Sequence, residues 1–206
     1  PVLYLLNGAM GSNNDWLAQG MVNPYASHYA ATGGKEMIIA CPNGCPDGID
    51  AFYINNYQGS GLDYETYFIQ EFVPFIESTF NIKAERGSRA IAGLSMGGYH
   101  SLHISKQYPD MFNYVGLFSA GIMPNKDVRS PIYEDFDKKL DVQFSKKPAL
   151  YWIGIGKTDF LYQANVEFRK LLDQKGYKYT YLETGGGHIW RNWRIYLTEF
   201  ASKLFK

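Results

Sequence analysis

The chain of 206 residues reads as an α/β protein built on a mostly parallel, doubly wound sheet with helices on both faces. Three observations carry that expectation. Strand-like and helical runs alternate along nearly the whole chain. Two of the strand-like runs, Met37-Ile38-Ile39-Ala40-Cys41 and Leu150-Tyr151-Trp152-Ile153-Gly154-Ile155, are almost continuously apolar, as strands covered on both faces are. No repeat, low-complexity tract or interdomain linker breaks the pattern. With 46% hydrophobic and 19% charged residues, the chain is long enough for one substantial core and too short for two full domains. Residues 1–206 are therefore expected to form one domain.

In order, strands are expected at 2–6, 36–41, 89–92, 114–119, 150–155 and 178–183. Helical patterns lie between or after them at 21–31, 64–80, 97–108, 163–175 and 190–204, the second of these kinked at Pro74. The two continuous apolar runs belong in the middle of the sheet. Segment 121–147 is different: it is rich in Lys, Asp and Pro, its only helix is expected to be short, and it reads as an inserted cap or loop between two strands.

Composition removes several function classes. Twenty basic residues balance twenty acidic ones, so there is no field to recruit nucleic acid or an acidic membrane surface. No apolar stretch approaches the ~20 residues that span a bilayer, so the chain is expected to be soluble. It opens on Pro1 and runs straight into an apolar strand, as a trimmed domain or mature product would, and its compartment is not legible there. Cys41 and Cys45 are too few for a disulfide framework and poorly spaced for zinc. They read as free thiols, with a local disulfide as the alternative. Aromatic residues make up 17%, enough to fill core or to line a stacking site for sugars and phenolic acids.

Chemistry concentrates in Arg89-Ala90-Ile91-Ala92-Gly93-Leu94-Ser95-Met96-Gly97-Gly98-Tyr99-His100, a strand leading through G-x-S-x-G into a helix. This is the nucleophile elbow of α/β-hydrolases, in which glycines flank a serine held in a strained turn. Ser95 is the candidate nucleophile, and the Met96 amide at the helix start is a candidate oxyanion donor. A serine hydroxyl needs a base. Of four histidines, His28, His100 and His103 fall within helices, and the last two also suit a weak i, i+3 metal pair. His188 follows Gly185-Gly186-Gly187 after the last strand, at the carboxyl edge of the sheet, and is the candidate base. The carboxylate that orients it should lie on another loop of that edge, between serine and histidine in chain order. Asp159 fits, following the strand that ends at Ile155; Asp127, Asp135, Asp137 and Asp141 in the polar insertion are rivals. The second oxyanion donor is expected in Asn7-Gly8-Ala9-Met10-Gly11 after the first strand, at the amide of Ala9.

Beyond this constellation, the chain resembles an esterase family of α/β-hydrolases. That family includes feruloyl and acetyl xylan esterases of carbohydrate esterase family 1, tributyrin-type esterases, S-formylglutathione hydrolases and enterochelin esterases. The resemblance rests on Tyr4-Leu5-Leu6-Asn7-Gly8 with Asp15-Trp16, Pro42-Asn43-Gly44, Tyr64-Glu65, Phe72-Val73-Pro74-Phe75-Ile76-Glu77 and Ala92-Gly93-Leu94-Ser95-Met96-Gly97-Gly98. It also takes in Asp159-Phe160-Leu161 and Gly186-Gly187-His188-Ile189-Trp190 with Trp193, and it is weakest over 121–147. Within the family the chain is most similar to xylanase-associated feruloyl esterase modules.

The resemblance implies hydrolysis of feruloyl or related hydroxycinnamoyl esters on xylan, a secreted or periplasmic setting, and no metal or organic cofactor. The substrate would be a small or polysaccharide-linked ester, with Phe52, Tyr53, Trp190 and Trp193 as candidates to meet a phenolic acid or sugar ring. Two departures stand out: the family has His-Gly where this chain has Asn7-Gly8, and its fold begins with two further strands. The alternatives are a short-chain acyl or acetyl xylan esterase, acyl transfer to a sugar, and a non-catalytic binding module on a hydrolase scaffold. Oligomeric state is not legible.

Overall fold

Every side chain of the run Val2–Leu6 is apolar and buried, which requires cover on both faces of a strand. The computed structural model, which describes residues 1–46, 52–122 and 130–206, shows that cover. The elements follow one another as β1 (Val2–Leu6), α1 (Asp15–Ala18), α2 (Val22–Ala31), β2 (Ile38–Ala40), α3 (Tyr64–Tyr67), α4 (Val73–Thr79), β3 (Arg89–Leu94) and α5 (Met96–Gln107). After these come β4 (Tyr114–Phe118), α6 (Phe136–Ser145), β5 (Leu150–Gly156), α7 (Tyr162–Gln174), β6 (Thr180–Thr184) and α8 (Trp190–Ala201). The strands form one sheet in the order β2-β1-β3-β4-β5-β6, and every neighbouring pair is parallel. An α/β-hydrolase-like, doubly wound parallel sheet is thus what the chain forms.

Alternation along β1 divides the core. Val2, Tyr4 and Leu6 face one layer with Phe68, Val73, Ile76, Leu102, Leu140 and Phe168, from α4 to α7 and the turn before α4. Leu3 and Leu5 face the other with Trp16, Val22, Trp193, Tyr196 and Phe200, from α1, α2 and α8. Because all strands run the same way, their carboxyl ends, and the loops after β1, β3, β4, β5 and β6, share one edge of the sheet.

Three expectations change. The run 37–41 is not central: β2 is an edge strand. Ile38 packs into one core layer, and Met37, Ile39 and Cys41 pack into the other. A continuous apolar run reports cover on two faces, not lateral position in the sheet, and β2 has the first without the second. At Pro74 the helix is not simply kinked. A widened π turn, Phe68–Phe72, precedes it, and Pro74 falls in the first turn of α4, where its missing N–H and its ring are tolerated. In segment 121–147, where residues 123–129 lie outside the described residues, the helix α6 is ten residues long and buries Leu140, Gln143 and Phe144.

Candidate active site

The sharp turn between β3 and α5 comes from sequence in a direct way. Ser95 has φ 53° and ψ −114°, a conformation that costs an L-residue on the order of 1–3 kcal/mol. The turn lets α5 return against β3 so closely that a Cβ on Gly93 would lie 2.6 Å from the carbonyl carbon of Gly97, and one on Gly97 would lie 2.5 Å from the Leu6 oxygen. Glycine at both places is therefore a steric requirement. The Ser95 N–H donates to the Phe118 carbonyl at 2.9 Å, its own carbonyl accepts from the Tyr99 N–H, and the side chain remains half-buried. The Met96 amide is in the first turn of α5, where helix geometry provides it no internal acceptor.

The loop after β1 lies against the elbow, since a Cβ on Gly8 would come within 3.6 Å of the Ser95 Cβ. Asn7 holds this loop from beneath. It is fully buried; its Oδ1 accepts from the Tyr53 hydroxyl (2.6 Å) and the Gly44 N–H (3.0 Å), and its Nδ2 donates to the Gly8 carbonyl (2.9 Å). The Tyr53 oxygen accepts in turn from the Asn7 N–H at 2.9 Å. Burial pushes the Tyr53 phenol well above its ordinary pKa, so it keeps the proton it donates. Asparagine thus meets the donor and acceptor demands of the position. Ala9 and Met10, beyond this anchor, are exposed.

Backbone hydrogen bonds join the loop after β5 to the loop after β6, from Lys157 N–H to the Thr184 carbonyl and from Thr158 N–H to the Gly186 carbonyl. That pairing brings Asp159 and His188 together. His188 Nδ1 lies 2.9 Å from Asp159 Oδ2; the carboxylate can only accept, so Nδ1 carries the proton and Nε2 is left with its lone pair. Burial acts to raise the Asp159 pKa, but the His188 and Leu161 N–H donors outweigh it and hold the carboxyl below its ordinary value. The buried Ser119 hydroxyl, at the end of β4, adds to the lowering while making no hydrogen bond of ordinary geometry. The imidazole is packed between Phe160, whose ring centroid is 4.6 Å away, and Trp193, edge-on at 5.0 Å.

Sequence expectations divide accordingly. Ser95, Met96, Ala9, Asp159 and His188 all fall at the carboxyl edge of the sheet. Of the rival carboxylates, Asp141 is engaged by Lys175 and Tyr177, Asp135 and Asp137 sit at the start of α6, and Asp127 lies outside the described residues. His100 and His103 are fully buried in α5 and His28 is exposed in α2. Burial lowers the His100 pKa to about 3; this neutral ring donates from Nδ1 to the Met96 carbonyl and accepts at Nε2 from the Tyr133 hydroxyl. Among the aromatic candidates, Tyr53 has no exposed surface to offer a ligand and acts on Asn7 instead. Trp193 is buried against His188, Trp190 is half-buried between Trp16 and Trp193, and Phe52 stacks on Tyr57. Cys41 and Cys45 are not joined in a disulfide, and they pack in opposite core layers. Ser119 and Phe160 were not singled out as site residues; a small polar residue ending a buried strand and an apolar one following the aspartate were the available signals.

Comparison with known proteins identifies the family. A family model described as "Putative esterase" matches residues 1–204. The endo-1,4-beta-xylanase/feruloyl esterase of Xylanibacter ruminicola is 28% identical over 208 residues, covering 100% of this chain and 26% of that protein, so the chain spans about a quarter of that relative. The acetyl esterase of Caldicellulosiruptor saccharolyticus is 27% identical over 234 residues, covering 98% of this chain and 83% of that protein. A solved ferulic acid esterase superposes with a TM-score of 0.80 at 29% identity, covering 98% and 84% of the two chains. On the family match and this kinship, the chain belongs to that esterase family and is a carboxylic ester hydrolase.

Proposed function

We propose that the chain is a serine esterase releasing ferulate or a related hydroxycinnamate from plant cell-wall xylan, with Ser95 as nucleophile, His188 as base and Asp159 as the group that orients and charges-balances the histidine. The observation that carries this reading is the Asp159–His188 hydrogen bond on the same sheet edge as a serine held at positive φ. Ser95 attacks the ester carbonyl while His188 Nε2 takes its proton. The oxyanion is held by the Met96 and Ala9 amides, and the imidazolium then protonates the departing alcohol. Water, deprotonated by the same nitrogen, clears the acyl-enzyme. No step requires a metal or an organic cofactor. The ferulate assignment draws on the feruloyl esterase activity named for two of the relatives.

The acetyl esterase relative, matched over most of its length, favours a second reading in which the acyl group is short. Steady-state hydrolysis of methyl ferulate beside p-nitrophenyl acetate, for wild type and Ser95→Ala, separates the two. Ferulate turnover that disappears in the variant is the expected result. Acetate turnover alone selects the short-acyl reading, and turnover that persists in Ser95→Ala overturns the nucleophile assignment.

A further inference from the structure

Phe160 directly follows Asp159 and is 76% exposed, yet its ring is in contact with the His188 imidazole. Ile189 directly follows His188 and is 44% exposed. Single exposed apolar residues need no explanation. Here, however, each of the two members of the Asp–His pair is followed by one, and the larger lies on the imidazole itself. His188 Nδ1 is committed to Asp159, so Nε2 is the nitrogen left to hand a proton to the leaving oxygen, across about 3 Å. Whatever the oxygen carries is consequently held beside the imidazole, on the side of the alcohol and not of the acyl group.

We infer that Phe160 is a specificity-determining residue for the alcohol half of the ester, its open face receiving a neutral, ring-shaped alcohol such as a pentose through the C–H face of the sugar. This rests on the assignment of His188 as base. The surroundings favour a neutral group. Phe160, Ile189 and Trp193 bear no charge, and the charged side chain of the same loop, Lys157, is turned to Glu183 at 3.4 Å. A sugar ring would gain an aromatic platform there.

The test holds the acyl group constant and changes the alcohol: methyl ferulate against 5-O-feruloyl-arabinofuranose, with the matched acetyl pair run in parallel. Phe160→Ala is expected to reduce kcat/KM for the arabinose ester about fivefold more than for the methyl ester, and Phe160→Tyr to preserve the sugar preference. An equal loss on both alcohols would show that Phe160 only supports the imidazole, and no loss on either would show that it does nothing; both overturn the inference while leaving the esterase reading intact. Wild-type protein inactive on all four esters would overturn the esterase reading itself, and this inference with it. Because Phe160 is largely exposed, its variants are expected to unfold at the wild-type temperature, which a melting curve checks.

Discussion

The six-residue strand β3 has two ends of opposite character. At its start, Arg89 makes a bidentate pair with Glu77, Nε to Oε1 at 2.5 Å and Nη2 to Oε2 at 2.9 Å, and the Tyr4 hydroxyl also reaches this carboxylate. Both charged side chains are at least 86% covered. Just past the other end, Ser95 is strained, half-buried and flanked by loops. The contrast teaches that, on the proposed mechanism, stability and reactivity are separated along one strand: the amino end pairs the charges it buries, and the carboxyl end carries the hydroxyl and amide proposed to meet the substrate. If so, substitutions at the two ends should move different observables.

The largest effect is expected from Ser95→Gly. Turnover should fall on the order of a million-fold, as for loss of a nucleophile acting within a unit, while urea unfolding should show a gain of about 1 kcal/mol over Ser95→Ala because glycine accepts the φ and ψ of the turn without strain. A loss of stability would mean the turn is not strained. Next comes Asp159→Asn, expected to lower kcat by about 10⁴ through the wrong histidine tautomer. It has a pH signature as well. The folded-state pKa of Asp159 lies below its ordinary value of 3.8, so its contribution to stability is present above that value and is lost as pH falls through the lower, folded one. The gap in melting temperature between wild type and variant should be constant above pH 5 and narrow below pH 4; a constant gap throughout would contradict the assignment.

At the amino end, Arg89→Met leaves Glu77 buried without its partner and should cost about 3 kcal/mol, lowering the melting temperature by some 6–10 °C with kcat/KM at 20 °C unchanged. A rate effect there would break the separation. The smallest effect concerns Lys106, 1% exposed on α5, whose Nζ donates to the Ile132 carbonyl and lies over the Phe136 ring. Burial, with Lys139 nearby, lowers its pKa to about 7 against the partial offset of Glu65. Between that value and 10.5 the unfolded chain binds more protons at this lysine than the folded one, so its contribution makes stability rise with pH. Lys106→Met should therefore raise the melting temperature relative to wild type more at pH 6.5 than at pH 9.5. Scanning calorimetry at the two values checks the sign.

Much of this was legible in sequence because it is encoded by local pattern. The alternation of apolar runs specified six strands, and Gly93-Leu94-Ser95-Met96-Gly97 announced its own turn because each residue there answers to a steric demand of that turn. Asp159 and His188 were found from chain order relative to strands. What escaped depends on distant partners. The lateral place of β2 is decided by which neighbour it pairs with, and Ile38 looks the same in a central or an edge strand. Tyr53 reads as a candidate to meet a substrate ring until Asn7, 46 positions away, is seen to engage its hydroxyl. Similarly, α6 is rich in Lys and Asp on its open side, which hides that Leu140 and Phe144, four apart, seal it to the core.

The sheet order also governs when the molecule can come together. In a wholly parallel sheet no strand pairs with its successor through a tight turn, and β1 pairs on one side with β3, whose residues follow about 90 positions later. On that side β1 therefore remains unpaired while the intervening chain is made, for ~5–20 s at ordinary rates of synthesis. During that interval a run of five apolar residues is without one of its two lateral partners. The loop carrying Asn7 and Ala9 is anchored to β1, so the proposed oxyanion side of the site can be completed only when β3 arrives and delivers Ser95 beside it. Conditions that slow this late pairing should reduce the yield of folded protein before they alter the properties of what has folded.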